Sequence, residues 1–592
     1  MNHSLTSLFQ DLWSHISKRR KIQFLLLLIL TIFASIAEVV SLGAILPFIG
    51  ILTQPEQVFE SPWLSEFISF FGIKSGQELV LPLTVAFGLA AIIAGSLRLL
   101  LLWLSIKLSN ATGADLSIEV YERTLYQPFS VHLERSSSEI ISGITQKVTA
   151  ATGVLLAVTA VITSSLLFTS IMTTMLIVDP AVTIIAGLTF GAAYLVVVFF
   201  TSSRFELNSR SIATQQTQVV KALQEGLGAI RDVILDATQL VYTNIYRKAI
   251  LFLMKANGEN RFMNQAPRYA MESLGMVLIA IFVLALTNRP GGITSALPLL
   301  GMLALGAQRL LPLMQQIYGN WSVVAGSHAA LNDVVNLLNQ PFPSNHYNEE
   351  SKPINIENSF SLQNIQFRYN DDTPWVLDNI SLEIKKGSRI GLIGATGSGK
   401  STTLDLIMGL LEPSKGSLVV DNRIIDDSLI RSWRRTVAHV PQSIFLADSS
   451  IAENIAFGVL PDQIDMDRVK KAASKAMISD FIESRKYNYN EIVGERGVRL
   501  SGGQRQRIGI ARALYKKANI IIFDEATSAL DNETEEIVME TIRNLGNDLT
   551  LIIVAHRLTT LKDCTKIIEL QNGKISRTGS FQDIIQDQED GV

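Results

Sequence analysis

Gly394-Ala395-Thr396-Gly397-Ser398-Gly399-Lys400-Ser401 fits G-x-x-x-x-G-K-[ST], a loop that holds phosphate groups. Its glycines let successive backbone N–H groups curl around an anion, Lys400 adds a point charge, and the Ser401 hydroxyl can ligate Mg²⁺. The flanks agree. Arg389-Ile390-Gly391-Leu392-Ile393 reads as a buried strand, and Ser401 to Leu411 as a helix whose N-terminus faces the anion. By itself the loop says nucleotide phosphate and no more.

Two downstream segments narrow it. Ile520-Ile521-Ile522-Phe523-Asp524-Glu525 reads as a buried strand ending in two carboxylates. Asp524 is placed to ligate Mg²⁺ and Glu525 to polarise a water for in-line attack. Before it stands Leu500-Ser501-Gly502-Gly503-Gln504, a segment that ordinary nucleotidases lack. With these three segments in this order, the chain resembles the ATP-binding cassette family, whose signature motif Leu500 to Gln504 matches.

The resemblance implies roles for further residues. Tyr369 would stack on adenine, and Thr402 would complete the phosphate loop. Gln442, in Val440-Pro441-Gln442, would reach the metal and the water. Ser501, Gly502, Gly503 and Gln504 would contact nucleotide, as would Asp531 in Ser528-Ala529-Leu530-Asp531. His556, in Ala555-His556-Arg557, would touch the γ-phosphate, and Glu495-Arg496-Gly497 resembles a segment of exporter cassettes. The implied cofactors are ATP and Mg²⁺, held for the metal by Ser401, Gln442 and Asp524. The implied activity is ATP hydrolysis to ADP and phosphate coupled to transport, with Glu525 and His556 catalytic.

The rest of the chain is of a different kind. At 592 residues it is too long for one domain, its charged fraction is 18%, and its mean hydropathy is +0.28. The net charge of −3 suggests no nucleic-acid partner, and a single cysteine, Cys564, excludes intramolecular disulfides and cysteine-rich metal sites. Six apolar segments, 22–52, 79–106, 150–178, 181–203, 269–287 and 293–318, can each cross roughly 30 Å of hydrocarbon. Asp179-Pro180 and Asn288-Arg289-Pro290-Gly291-Gly292 read as tight turns that make hairpins of the third and fourth segments and of the fifth and sixth. The long charged connections between second and third and between fourth and fifth resemble the cytoplasmic extensions of type IV exporters.

The expected fold is therefore an all-α six-helix transmembrane domain fused to an α/β P-loop cassette. Its parts would be an interfacial helix at 1–21, the membrane domain at 22–335, a linker at 336–354 and the cassette at 355–592. Lys18-Arg19-Arg20-Lys21 before the first span places the N-terminus in the cytoplasm, and an even number of spans returns the chain there. The inner (plasma) membrane is the expected location. Leu5, Leu8, Phe9, Leu12, Trp13 and Ile16 follow helical spacing and suggest a helix lying on the inner leaflet. Tyr126-Gln127-Pro128-Phe129 with His132 to Ser142, and Glu225 to Asp232, resemble the two cytoplasmic turns that dock on cassettes near Gln442.

Charges inside spans cost about 2.5–3.5 kcal/mol each on insertion scales, so they are candidates for function. Arg98, Arg268 and Arg309 either line a path for an anionic cargo or pair with Glu38 and Glu272. Glu38 to Phe48, Ala266-Pro267-Arg268 and Arg309-Leu310-Leu311-Pro312 resemble the lipid-linked oligosaccharide flippase branch. That resemblance implies a polyprenyl-pyrophosphate glycan as cargo, with membrane lipid as partner. The alternative is a peptide or hydrophobic small-molecule exporter. Trp63 to Phe71, in a long first outer loop at 53–78, could form a short amphipathic helix. One membrane domain and one cassette make half a transporter, so a homodimer is expected, with a heterodimer as the other option.

Overall fold

The structure is a computed structural model. It describes the chain apart from residues 1–3, 45–47, 49, 53–55, 57–58, 60–74, 179, 288–291, 343–350, 526–531, 547, 556–557 and 585–592. The expected outer-loop helix around Trp63 to Phe71 falls outside the described residues. The chain divides into two compact units, one of residues 1–127 and 135–342, the other of residues 128–134 and 343–592.

The first unit is helical throughout. Helix α1 (Leu5–His15) precedes six long helices: α2 (Lys18–Gly43), α3 (Gly76–Leu125), α4 (Val148–Val178), α5 (Pro180–Gly228), α6 (Gln239–Thr287) and α7 (Gly292–Gly326). A short α8 (His328–Leu338) follows. The reason for helices is physical: backbone N–H and C=O groups find no water in hydrocarbon, and a helix satisfies them within one segment. Each apolar segment read from the sequence overlaps one of the six, and among the described residues four helices are long and apolar enough to cross a membrane. With 49 or 50 residues, α3, α5 and α6 run far beyond the roughly 20 that a bilayer requires. Their polar halves are the long connections of the sequence. Helix α5 packs along α6, and α4 along α7.

The apolar stripe of α1 is spent on protein. Leu8 and Leu12 are fully buried and Ile16 nearly so, against Leu116 and Val120 of α3, Val154 of α4 and Leu331, Val334 and Leu338 of α8. Phe9 and Trp13 are only partly buried and are what α1 keeps for an outer surface. His15 closes the contact, with Nε2 2.9 Å from Asn339 Oδ1 and Nδ1 3.4 Å from Glu119 Oε1.

Pro267 interrupts α6. Proline has no N–H, so the carbonyl of Met263, four residues earlier, loses its helical donor. The Tyr318 hydroxyl of α7 donates to that carbonyl at 2.8 Å. Nearby, Asn264 Nδ2 donates to the Gly319 carbonyl at 2.8 Å and also to Ser322 Oγ. A polar seam thus fixes α6 against α7 where α6 is weakest.

The second unit is α/β. A six-stranded sheet has the order β10-β9-β3-β8-β7-β6, with β3 (Arg389–Ile393), β6 (Val437–Val440), β7 (Ile520–Asp524), β8 (Thr550–Val554), β9 (Lys566–Gln571) and β10 (Lys574–Gly579). All its pairings are parallel except β9 with β10. A separate antiparallel sheet has the order β2-β1-β4-β5, formed by β1 (Ser359–Phe367), β2 (Leu377–Lys385), β4 (Lys415–Val420) and β5 (Arg423–Ile424). The short helix Phe129–Glu134 belongs to this unit, and Phe129 packs against its apolar core.

Tyr318→Phe removes the donor that replaces the missing proline N–H and should cost about 1–3 kcal/mol. Pro267→Ala restores the helical donor, so the double variant should recover much of the loss. Thermal midpoints of the purified protein in detergent test this, and an equal loss with and without Pro267 would contradict it.

Candidate functional site

Strand β3 is buried from Ile390 onward and lies between β8 and β9, so the loop that follows leaves the middle of the sheet. Gly394 has φ +147°, and a Cβ there would stand 2.3 Å from the Leu570 carbonyl oxygen. At Gly399, φ is +101° and a Cβ would stand 2.5 Å from Leu377 Cδ2. Both positions therefore favour glycine on backbone, and at Gly394 the fixed backbone oxygen excludes a Cβ on space as well. Gly399 caps helix α9 (Lys400–Ile407), whose N-terminus opens on the loop.

Lys400 is buried, and its ammonium bridges the carbonyls of Gly394 at 2.8 Å and Ala395 at 3.1 Å. The buried Ser398 hydroxyl has no hydrogen-bond partner among the described residues. A bound phosphate would satisfy that orphaned group, so the loop fits the ligand that its sequence implies. Tyr369 is 46% exposed, stands edge-on to Phe367, and its hydroxyl lies 3.2 Å from Thr402 Oγ1.

At the end of β7, Asp524 stands beside Asp405 of α9 and is followed by Glu525. Burial, then the charge of Glu525, raises the Asp524 carboxyl above its usual range, with Lys400 opposing. Burial and then Asp524 push Asp405 up to about 6. Glu525 takes φ +49°, rare for a residue with a side chain, and its N–H donates to the Val554 carbonyl at 3.0 Å. A concentration of negative charge next to the phosphate loop suits Mg²⁺, which Ser401, Gln442 and Asp524 would hold. Among the described residues no group of three or more His, Cys, Asp or Glu could hold a metal.

The signature segment starts helix α10 (Gly502–Lys516) with a reciprocal cap. Ser501 Oγ accepts from the Gln504 N–H at 3.3 Å, and Gln504 Oε1 accepts from the Ser501 N–H at 2.9 Å. The first-turn N–H groups of Gly502 and Gly503 have no acceptor inside the helix, which makes this end an anion seat. From the same helix, Gln506 Nε2 donates to the Gln442 carbonyl at 3.0 Å, tying the glutamine loop to the signature. Asp531 and His556 lie outside the described residues.

Of the membrane arginines, Arg98 Nε is 3.3 Å from Oε2 of Glu38, which is 2% exposed. Arg268 Nε is 2.8 Å from Glu272 Oε1, both half-exposed. These two line a cavity of about 730 Å³ within the first unit, with Tyr194, Asn264, Gln308 and Gln316. The side chain of Arg309 lies outside the described residues. Sequence reasoning missed Asp405, although its place four residues after Ser401 puts it on the same face of α9.

Comparison with known proteins accords with this geometry. The family profile described as "ABC transporter" matches residues 377–528, and that described as "ABC transporter transmembrane region" matches residues 22–294. The leukotoxin translocation ATP-binding protein LktB of Mannheimia haemolytica is 39% identical over 284 residues, 48% of this chain and 39% of that protein. The LktB proteins of Mannheimia glucosida and Bibersteinia trehalosi match over the same shares. The chain thus matches well under half the length of these relatives. A solved structure of a bacterial Atm1-family ABC exporter with ATP bound is similar over 96% of both chains, with a TM-score of 0.76 and 22% identity. That likeness establishes the fold.

Asp405→Asn should raise the thermal midpoint of the nucleotide-free protein by a few degrees at pH 8. With a folded pKa of about 6 against the ordinary 3.8, the ionised carboxyl penalises folding fully above pH 6. The penalty fades as pH falls through that window, so the gain should shrink at pH 5. An equal gain at both pH values would contradict this.

Proposed function

We propose, from the premise that this chain belongs to the ABC transporter family and carries both its transmembrane region and its ATP-binding cassette, that it is an ATP-driven exporter acting as a pair of copies. The observation that carries the reading is the phosphate loop, closed by Lys400 and flanked by the carboxylates of β7, in one chain with a capped signature helix whose leading N–H groups await an anion. The family resemblance seats each ATP between the phosphate loop of one copy and the signature of the other. Both parts are present here, so a homodimer has two working sites.

In this reading Gly394 to Thr402 hold the triphosphate and Tyr369 stacks on the base. Ser401, Gln442 and Asp524 hold Mg²⁺, which when bound offsets charge on the β- and γ-phosphates. Glu525 accepts a proton from the attacking water as the water oxygen bonds to the γ-phosphorus and the bond to ADP breaks. By the family resemblance, His556 would contact the γ-phosphate and Asp531 would contact nucleotide. The short helix Ile230–Leu235 exposes Ile230, Ile234 and Leu235, an apolar surface suited to docking on a second copy's cassette. The N-terminus and cassette lie on the cytoplasmic side of the inner membrane.

The cargo is read as anionic and amphipathic. The cavity offers amide groups, a tyrosine and the Arg268–Glu272 pair rather than bare hydrocarbon, and an anionic cargo would compete with Glu272 for the guanidinium. Those groups suit hydroxyls, amides and a phosphate, in keeping with a polyprenyl-pyrophosphate oligosaccharide. The names of the toxin-translocating relatives favour a second reading, export of a peptide. Arg98 is reassigned: its ion pair with buried Glu38 supports a structural part, while Arg268 stays a cargo residue.

Glu525→Gln should abolish ATP turnover with binding intact, whereas Lys400→Ala should weaken binding itself. Nucleotide titration alongside phosphate release separates them, and undiminished turnover in the first variant would refute its role. Arg98→Gln should lose folded protein, since it leaves the buried Glu38 carboxylate without its guanidinium partner, and Glu38→Gln should partly restore it. Arg268→Gln should fold normally and lower transport more than ATPase activity. Unchanged transport would remove Arg268 from the cargo path.

A further inference from the structure

Beside Tyr369 lies a cavity of about 380 Å³ within the second unit, and one side of its lining is unexplained by base stacking. Tyr369 and Arg368 contribute to it, and so does Glu134, from the short helix Phe129–Glu134. Phe129 seats that helix by packing into the apolar core, so the position of Glu134 does not depend on its charge. The Asn370 amide, oriented with its nitrogen towards acceptors, donates to Glu134 Oε1 at 3.1 Å and to the Tyr369 carbonyl at 3.0 Å. One side chain thereby fixes the carboxylate relative to the aromatic ring, and both amide hydrogens are used. Arg368 does not neutralise the carboxylate. Its guanidinium holds the Asp371 carboxylate at 2.6 Å and lies over the Trp375 ring. The remaining charged group of the lining, Glu412, has the same sign as Glu134.

We propose that Glu134 reads the edge of the base stacked on Tyr369, selecting a purine with an amino group at C6 over one with a carbonyl there. The inference rests on Tyr369 being the stacking platform. An ionised carboxylate only accepts hydrogen bonds. The 6-amino group of adenine donates to it, whereas the 6-oxo group of guanine sets acceptor against acceptor. Asn370 is the positioning residue, acting through Glu134.

The test is kcat/KM for ATP and for GTP, measured on the purified full chain. Wild type should prefer ATP. Glu134→Gln presents both a donor and an acceptor, so it should reduce the preference by roughly five- to tenfold. Glu134→Lys presents donors only and should shift the preference towards GTP. A wild type that does not discriminate, or variants that lower both nucleotides equally, would overturn the proposal. Tyr369→Ala distinguishes the two failures. If it raises KM for both nucleotides while the Glu134 variants leave the ratio unchanged, the edge-reading idea alone is wrong. If Tyr369→Ala leaves both KM values unchanged, the platform itself is wrong and the proposal falls with it.

Discussion

A triphosphate is held by backbone N–H groups only if the chain turns tightly enough to aim several of them at one point. That constraint organises the second unit. The turn needs left-handed backbone at Gly394 and Gly399; the neighbouring Leu570 carbonyl leaves no room for a Cβ at Gly394, and the Leu377 side chain lies against Gly399. Those neighbours are in place because β9 pairs with β3 on one side and the start of β2 packs over the loop. The other side of β3 is β8, whose neighbour β7 ends in Asp524 and carries the carboxylates to the loop. Strand order is thus what brings cation and anions together from residues far apart in sequence.

The first unit answers to the opposite constraint, the absence of water. Its helices satisfy their own backbones, and where Pro267 breaks that rule another helix supplies the missing donor through Tyr318. Charges follow the same logic: Glu38 is buried and holds Arg98, while Arg268 and Glu272 pair within one helix and face a polar cavity. A unit that spends polar groups so sparingly keeps them where they fix helices to one another or line a polar cavity.

Much of this was legible in the sequence because the signals are local. The phosphate loop, the signature and the acidic end of β7 are each contiguous, and the reciprocal cap of Ser501 and Gln504 is a spacing of three. Apolar runs located the six long helices; α2 is described as far as Gly43, and residues 45–47 and 49 of the first run fall outside the described residues. What escaped is non-local. The stripe of α1 looked like a lipid face because its partners on α3, α4 and α8 are distant in sequence. Arg98 had two chemically equal partners, and only the packing of α2 on α3 selects Glu38. Glu134 and Asn370 meet because a short helix from the first half of the chain sits on the cassette, which no pattern in either segment announces.

The central claim is that two copies complete each ATP site. Its most direct test is a cryo-electron microscopy structure of the full chain in lipid nanodiscs with Mg²⁺ and a non-hydrolysable ATP analogue. The account predicts a two-fold dimer with each triphosphate touching Lys400 of one copy and the Ser501–Gly503 turn of the other. Nucleotide held by a single copy, with the signature turn of every chain left facing solvent, would contradict it.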